Sequence, residues 1–303
     1  MAINFEKDFE IKKLTSFKIG GKIARAYFPE TEEDFVHILE KEPNAIVLGN
    51  ISNVLVSDFG YDGAIILTSK MNKISICENI VIAQCGVKGQ KLAQEVAKLG
   101  LSGLEFLIGF PGAIGGEVYM NASANGQAIS DNLIKATCYN KERGVFELTK
   151  EEMKFGYRTS VCQEKSIKVL NATFELEQTD IEKVQARIQA CLDFRRSHQP
   201  LLNLPNCGSI FRNPENNSAG KLLDECGVKG TIQGGVKVWE NHANFIINDR
   251  QGSSTDVLEL MIKMKNLVKE KFNIELTPEI IYLGGCDKRE EELCKMLYQK
   301  TQK

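Results

Sequence analysis

Along the first hundred residues, short apolar runs alternate with apolar positions at helical spacing. Ala24 to Phe28 predicts a strand. Thr31 followed by Asp34 predicts a capped helix to about Glu40, and Ala45 to Gly49 and Ala64 to Thr68 predict further strands. After a strand at Ile80 to Cys85, Leu92, Val96 and Leu99 share one helical face, and Gly100 stops that helix. Further on, Leu133 to Tyr139 and Val145 to Leu148 flank a short turn and predict a hairpin, and Ile167 to Leu176 predicts a long strand. A helix from Asp180 to about Ser197 closes the first half. The second half predicts a short helix near Ala219 to Cys226, a turn at Gly234 and Gly235, and a strand from His242 to Asn248. An amphipathic helix over Asp256 to Lys271, a strand over Ile274 to Leu283 and a charged tail complete the chain. Mixed elements of this kind fit α/β or α+β and exclude a helical bundle.

Glycine changes the picture next. Seven of the 25 glycines fall between Gly100 and Gly126, where the backbone must bend sharply or approach a ligand closely. Two loops there and upstream offer backbone N–H groups to an anion: Gly49-Asn50-Ile51-Ser52-Asn53, at the end of a strand, and Gly109-Phe110-Pro111-Gly112-Ala113-Ile114-Gly115-Gly116. Taken alone, each reads first as a tight turn, and neither is a G-x-G-x-x-G fingerprint. Tyr157 and Arg158 stand side by side before a strand, in what reads alone as a surface turn. Ser209 follows Gly208 and precedes Ile210 and Phe211, outside any hydrolase elbow. Glu279 lies in an apolar stretch, where a carboxyl is either salt-bridged or tuned for proton chemistry.

Charge narrows the function classes. With 38 Lys plus Arg against 40 Asp plus Glu in 303 residues, the net charge is −2, which provides no footprint for nucleic acid or an anionic membrane. The amino terminus lacks the apolar stretch of a signal peptide, and no apolar run could span a bilayer, so a cytoplasmic protein is expected. Nine scattered cysteines with no C-x-x-C pair, and three isolated histidines, argue against a disulfide framework or a metal site.

The motifs LTSFKIGG, LSGLEFLIGFPGAIGGEVYMNA, FGYRTS, RRSHQP, GSIFRNP, AGKLLDECGVKG, HANFIIN and LTPEI occur in this order over residues 14 to 284. That ordered set resembles the UDP-N-acetylenolpyruvoylglucosamine reductases, flavoenzymes of peptidoglycan precursor synthesis. The short connection between Arg158 and Arg195 resembles the second, shorter type of the family. The resemblance implies an α+β molecule: an FAD-binding domain of the vanillyl-alcohol oxidase type, in two subdomains, over residues 1–190; a smaller α+β substrate domain over 191–284, whose last strand brings Glu279 to the active site; and a charged tail over 285–303. It implies that NADPH reduces a noncovalently bound FAD, which then reduces the enolpyruvyl group of a UDP-sugar. By the same resemblance, Gly49, Asn50, Ser52, Asn53, Gly109, Pro111, Gly112, Gly115 and Gly116 hold FAD. Arg158 stabilises developing charge, Ser209 donates the proton and Glu279 is the acidic partner, while Tyr157, His198 and Asn213 contact substrate.

This sequence departs from the family's usual pattern at several positions. Ile51 stands for a Gly, and a β-branched residue resists positive φ. Ser123 and Asn125 stand for Gly and Tyr, His198 for a Lys, and Lys237 and Trp239 for Gln and Ser. These departures keep open a second reading, a paralogue that has lost turnover and binds flavin or a sugar nucleotide as a regulator. Retention of Arg158, Ser209 and Glu279 together favours the enzyme.

Overall fold

Side chains at helix starts do what their spacing predicts. Thr31 Oγ1 accepts the Asp34 N–H at 3.0 Å while Asp34 returns the bond to the Thr31 N–H, so helix α1 runs Glu32–Lys41. The computed structural model describes residues 4–201 and 203–298. The remaining helices among those residues are α2 Gly89–Ala97, α3 Ile114–Tyr119, α4 Ile129–Asn132, α5 Val161–Glu164, α6 Ile181–His198, α7 Ala219–Glu225, α8 Ser254–Phe272 and α9 Lys288–Tyr298. Helix α8 repeats the capping box with Ser253 and Asp256 and ends where Asn273 takes a left-handed φ of 55°. Its Val257, Leu260, Met261, Met264 and Val268 are fully buried on one stripe. None of the described helices is long and apolar enough to cross a membrane.

The chain forms two compact units, each assembled from separated stretches. One comprises residues 4–6, Ala26–Asn50 and Ala64–Arg195. Its five-stranded antiparallel sheet has the order Gly144–Thr149, Leu133–Asn140, Lys168–Glu175, Ile80–Gln84, Ile74–Cys77. The predicted hairpin closes through Asn140 and Gly144, the latter at φ 67°, as a three-residue loop requires. Helix α2 and the Phe106 segment pack on this sheet, and a second cluster forms around Phe35, Ile38, Ile66 and Leu170, beside the parallel pair Ile46–Leu48 and Ile65–Leu67. The other unit comprises Lys7–Arg25, Ile51–Gly63 and the described residues from 196 onward. A three-stranded sheet (Ile232–Gln233, Val236–Val238, Ile246–Asn248), a parallel pair (Val54–Val56 with Ile281–Leu283) and helices α7, α8 and α9 share a core that includes Phe17, Leu55, Phe211, Leu258 and Leu297.

Two strands shorten, the charged tail takes on structure, and one hairpin is new. The strand foreseen over 242–248 begins only at Ile246, because His242 to Phe245 form a turn closed by the Phe245 N–H on His242 O. The strand over 274–283 contracts to Ile281–Leu283, because upstream the segment forms only an isolated bridge, Pro278 with Phe211, instead of a continuous ladder. The charged tail contains α9, a helix with Glu290 and Leu297 buried, its last residues 299–303 lying outside the description. A two-residue hairpin, Ser123–Ala124 with Gln127–Ala128, turns through Asn125 and Gly126 at φ 53° and 79°, both positive as a type I′ turn demands.

Candidate active site

Three of the quoted motifs become neighbouring extended segments in one unit. Gly208 takes φ 81°, a conformation that favours glycine, and turns the chain so that Ser209 pairs with Phe245 in an antiparallel bridge. The Ile210 N–H donates to Asn244 O at 2.9 Å, and the Asn244 side chain grips Phe211 from both sides: Oδ1 accepts its N–H at 3.0 Å and Nδ2 donates to its O at 2.8 Å. On the opposite edge the Glu279 N–H donates to Ile210 O at 2.8 Å and the Arg212 N–H to Thr277 O at 2.9 Å, with Phe211 facing Pro278. Pro278 thus occupies the non-hydrogen-bonded register position, where its missing N–H costs nothing. Ser209 and Glu279, both half-buried, are therefore brought to adjacent segments whose registers are locked.

Arg158 belongs to the other unit and sits at φ 55°, a left-handed conformation uncommon for a long side chain. Its Nη1 donates to Ser123 Oγ at 2.7 Å and its Nη2 to Ser123 O at 3.3 Å, while Gln163 Nε2 donates to the Arg158 carbonyl at 3.0 Å. The guanidinium lies 5.4 Å from the ring centre of Tyr157, which is 53% exposed. Ser123, which entered the sequence reading only as a departure, is the residue that holds the Arg158 guanidinium. The Asn125-Gly126 turn that carries it was the available signal.

The two glycine loops meet. Asn50 Nδ2 donates to Pro111 O at 2.7 Å, and a Cβ on Gly49 would stand 3.0 Å from the Ala113 Cβ. Gly109 and Gly116 leave open space where a Cβ would be, so a ligand could approach the backbone there. Gly115 contributes differently from expectation: its N–H donates to Cys85 O at 2.8 Å, and its bare Cα is needed because a Cβ would lie 2.8 Å from Cys85 Cβ. Gly112 likewise makes room for a side chain, since a Cβ there, or on Gly89, would lie 2.3 Å from Glu117 Oε1. Both Glu117 oxygens are buried with no hydrogen-bond partner among the described residues, and burial pushes the carboxyl up to about 8. A pair of loops joined by Asn50, with open glycine backbone beside them, suits the diphosphate of a dinucleotide.

The other expected residues are dispersed among local roles. Ile51 does take positive φ, 49°, and is 4% exposed. Beyond it Ser52 is half-buried, and Asn53 is bonded within its own unit: Nδ2 donates to Glu279 O at 3.2 Å and its O accepts the Ile281 N–H at 3.0 Å. His198 ends α6, its Nδ1 2.8 Å from Ser197 Oγ, and Asn213 Oδ1 accepts the Ala219 N–H at the start of α7 at 3.0 Å.

The chain is similar to known proteins along most of its length. Residues 199–283 match the family model for the UDP-N-acetylenolpyruvoylglucosamine reductase C-terminal domain, and residues 23–148 match that for an FAD binding domain. Among curated proteins, the UDP-N-acetylenolpyruvoylglucosamine reductase of Caldicellulosiruptor bescii is 41% identical over 93% of this chain and 91% of its own. That of Bacillus subtilis is 39% identical over 89% of this chain and 91% of its own. A crystal structure of the corresponding reductase from Thermus caldophilus matches with a TM-score of 0.80 at 31% identity, covering 93% of this chain and 100% of that one.

Proposed function

The chain belongs to the UDP-N-acetylenolpyruvoylglucosamine reductase family, and from that premise we propose how its own side chains serve the reaction. It is an FAD-dependent oxidoreductase that reduces UDP-N-acetyl-enolpyruvoylglucosamine to UDP-N-acetylmuramate with NADPH, in peptidoglycan precursor synthesis. The reading of a paralogue without turnover is not favoured. When bound, FAD supplies the two-electron carrier that takes hydride from NADPH and passes it to the terminal carbon of the enolpyruvyl group.

Hydride arrival leaves negative charge on the adjacent carbon and its carboxylate. Arg158 supplies the cation that stabilises it, its fork held beforehand on Ser123 so that little reorganisation accompanies the reaction. Ser209 gives its Oγ proton to that adjacent carbon, and Glu279 is its acidic partner. Asn50, Gly49 and the Gly109 to Gly116 loop hold the FAD diphosphate; Tyr157, His198 and Asn213 hold the sugar nucleotide. A net charge of −2 offers no electrostatic footprint for nucleic acid or an anionic membrane, and we place the enzyme in the cytoplasm. The observation that carries these roles is the bond from the Glu279 N–H to Ile210 O, which sets the acid beside the segment of Ser209.

Ser209→Ala tests the assignment by separating the half-reactions. Bleaching of the flavin by NADPH under argon is expected within a few-fold of wild type, because only hydride moves. Reoxidation by the enolpyruvyl substrate is expected to slow by roughly 10²- to 10⁴-fold, the usual cost of losing a positioned general acid. Ser209→Cys, which keeps a transferable proton, should recover part of that loss. Equal loss in both half-reactions would make Ser209 a structural turn residue.

A further inference from the structure

Helix α9 lies outside every motif that carries the chemistry, yet both its ends are tied to the stretch that follows Glu279. Near its start, Glu290 is completely buried and accepts four hydroxyl hydrogen bonds. Tyr282 Oη and Ser57 Oγ donate to Oε2 at 2.7 and 2.6 Å; Thr255 Oγ1 and Ser254 Oγ donate to Oε1 at 2.8 and 2.5 Å. Four donors fill the acceptor capacity of a carboxylate. No such set is needed merely to dock a helix, for which the buried Leu297 would serve. At the far end, Tyr298 Oη donates to Ile280 O at 2.9 Å, and Lys265, buried beneath, donates to Leu297 O at 3.1 Å.

These ties converge on a short stretch whose register is set by the bonds of Glu279 to Ile210 and of Ile281 to Asn53, and which passes from one partner segment to another between them. Ile281–Leu283 pairs only with Val54–Val56, three residues on three, and before it the chain leaves the single bridge of Pro278 with Phe211. Between that bridge and the short pair stand Glu279 and Ile280. Tyr298 holds the Ile280 carbonyl, and Glu290 holds Tyr282 two residues later while holding Ser57, whose own N–H donates to Leu283 O at 2.8 Å. One buried carboxyl thus fixes both members of the parallel pair.

We propose that α9 is a positioning element for Glu279: through Tyr298 and Glu290 it braces the 280–283 stretch that follows, and so aims the acidic partner at its work. The proposal rests on the role given to Glu279 above. Tyr298 and Glu290 touch neither substrate nor flavin in this account; they act through the backbone.

The test uses full-length, flavin-loaded protein. Tyr298→Phe removes one hydroxyl and almost no volume. It is expected to leave flavin content and NADPH bleaching within twofold of wild type, while reoxidation by the enolpyruvyl substrate slows about fivefold to tenfold, the effect of one lost hydrogen bond on a transition state. Hydrogen exchange of the Ile280 to Leu283 amides should speed up in the same variant. Glu290→Ala should deepen both effects, and Glu290→Gln, whose amide still offers partners that rotating hydroxyls can meet, should recover most of the rate. If Tyr298→Phe reoxidises at the wild-type rate, or if both half-reactions fall together, α9 is structural only and the proposal is overturned. Should Glu290→Ala fail to fold, Tyr298→Phe decides alone. Wild-type protein that is bleached by NADPH but not reoxidised by substrate would instead sink the role assigned to Glu279, and exchange at Ile280 to Leu283 would still judge the tie.

Discussion

At Glu117 burial opposes ionisation and no neighbour offsets it. Its folded value of about 8 exceeds the ordinary 4.5, so between those values the folded state holds a proton that the unfolded state has released. Stability from this group is fully present below about pH 4.5 and is lost as pH rises to about 8, by a few kcal/mol on the scale of ~1.4 kcal/mol per unit. Glu117→Gln removes the titration. Urea unfolding at pH 6 and pH 8.5 should show a smaller pH-dependent loss in the variant than in wild type; equal losses would mean that the carboxyl finds a partner. Ile51 weighs strain against burial. A left-handed backbone at a β-branched residue costs about 1–3 kcal/mol, whereas truncating a buried Ile costs about 2–5 kcal/mol, with further cost from glycine's chain entropy. Ile51→Gly is therefore expected to destabilise by about 2 kcal/mol in denaturant titrations, and a gain in stability would show that strain dominates. The positive φ at Ile51 was legible in the sequence, since a glycine is usual there. Glu117 was not, because its cost depends on Gly89, which lies 28 positions earlier and whose bare Cα leaves it room.

Elements with strong local signals were legible to within a few residues: α1 and α8 through their capping boxes, the hairpin at 133–149 through its turn, and α2 through its apolar face. The segments proposed to carry the chemistry were harder to read. Ser209 to Arg212 forms no regular strand; its register is set by the side chain of Asn244 and by main-chain bonds to Thr277 and Glu279, partners that no local periodicity announces. Asn244→Ala would leave the buried N–H and carbonyl of Phe211 unpaired, at roughly 1–3 kcal/mol each. A loss of about 3 kcal/mol in unfolding free energy is expected, together with slower substrate reoxidation. Unchanged stability would mean that other groups, water included, replace both bonds.

On the scale of the whole molecule, each unit is assembled from three stretches of chain, so the covalent order and the spatial order differ. The ordered motifs, through the family they resemble, implied an FAD-binding part and a substrate part. They could not assign Lys7–Arg25 and Ile51–Gly63 to the same unit as α8 and α9, because apolar residues such as Phe17 and Leu55 carry no mark of a partner more than two hundred positions away. The bond from Ser57 to Glu290 spans 233 positions. On a ribosome adding about 5–20 residues per second, Ser57 is made roughly 10–50 s before the carboxyl that receives it. Phe17, Ile19 and Leu55 wait as long for Leu297, the last buried residue of their shared core. The other unit has all its described residues once Arg195 is made, so its glycine loops can close while translation continues. Demand for chaperones during synthesis is thus set by the unit whose earliest pieces are the last to be buried.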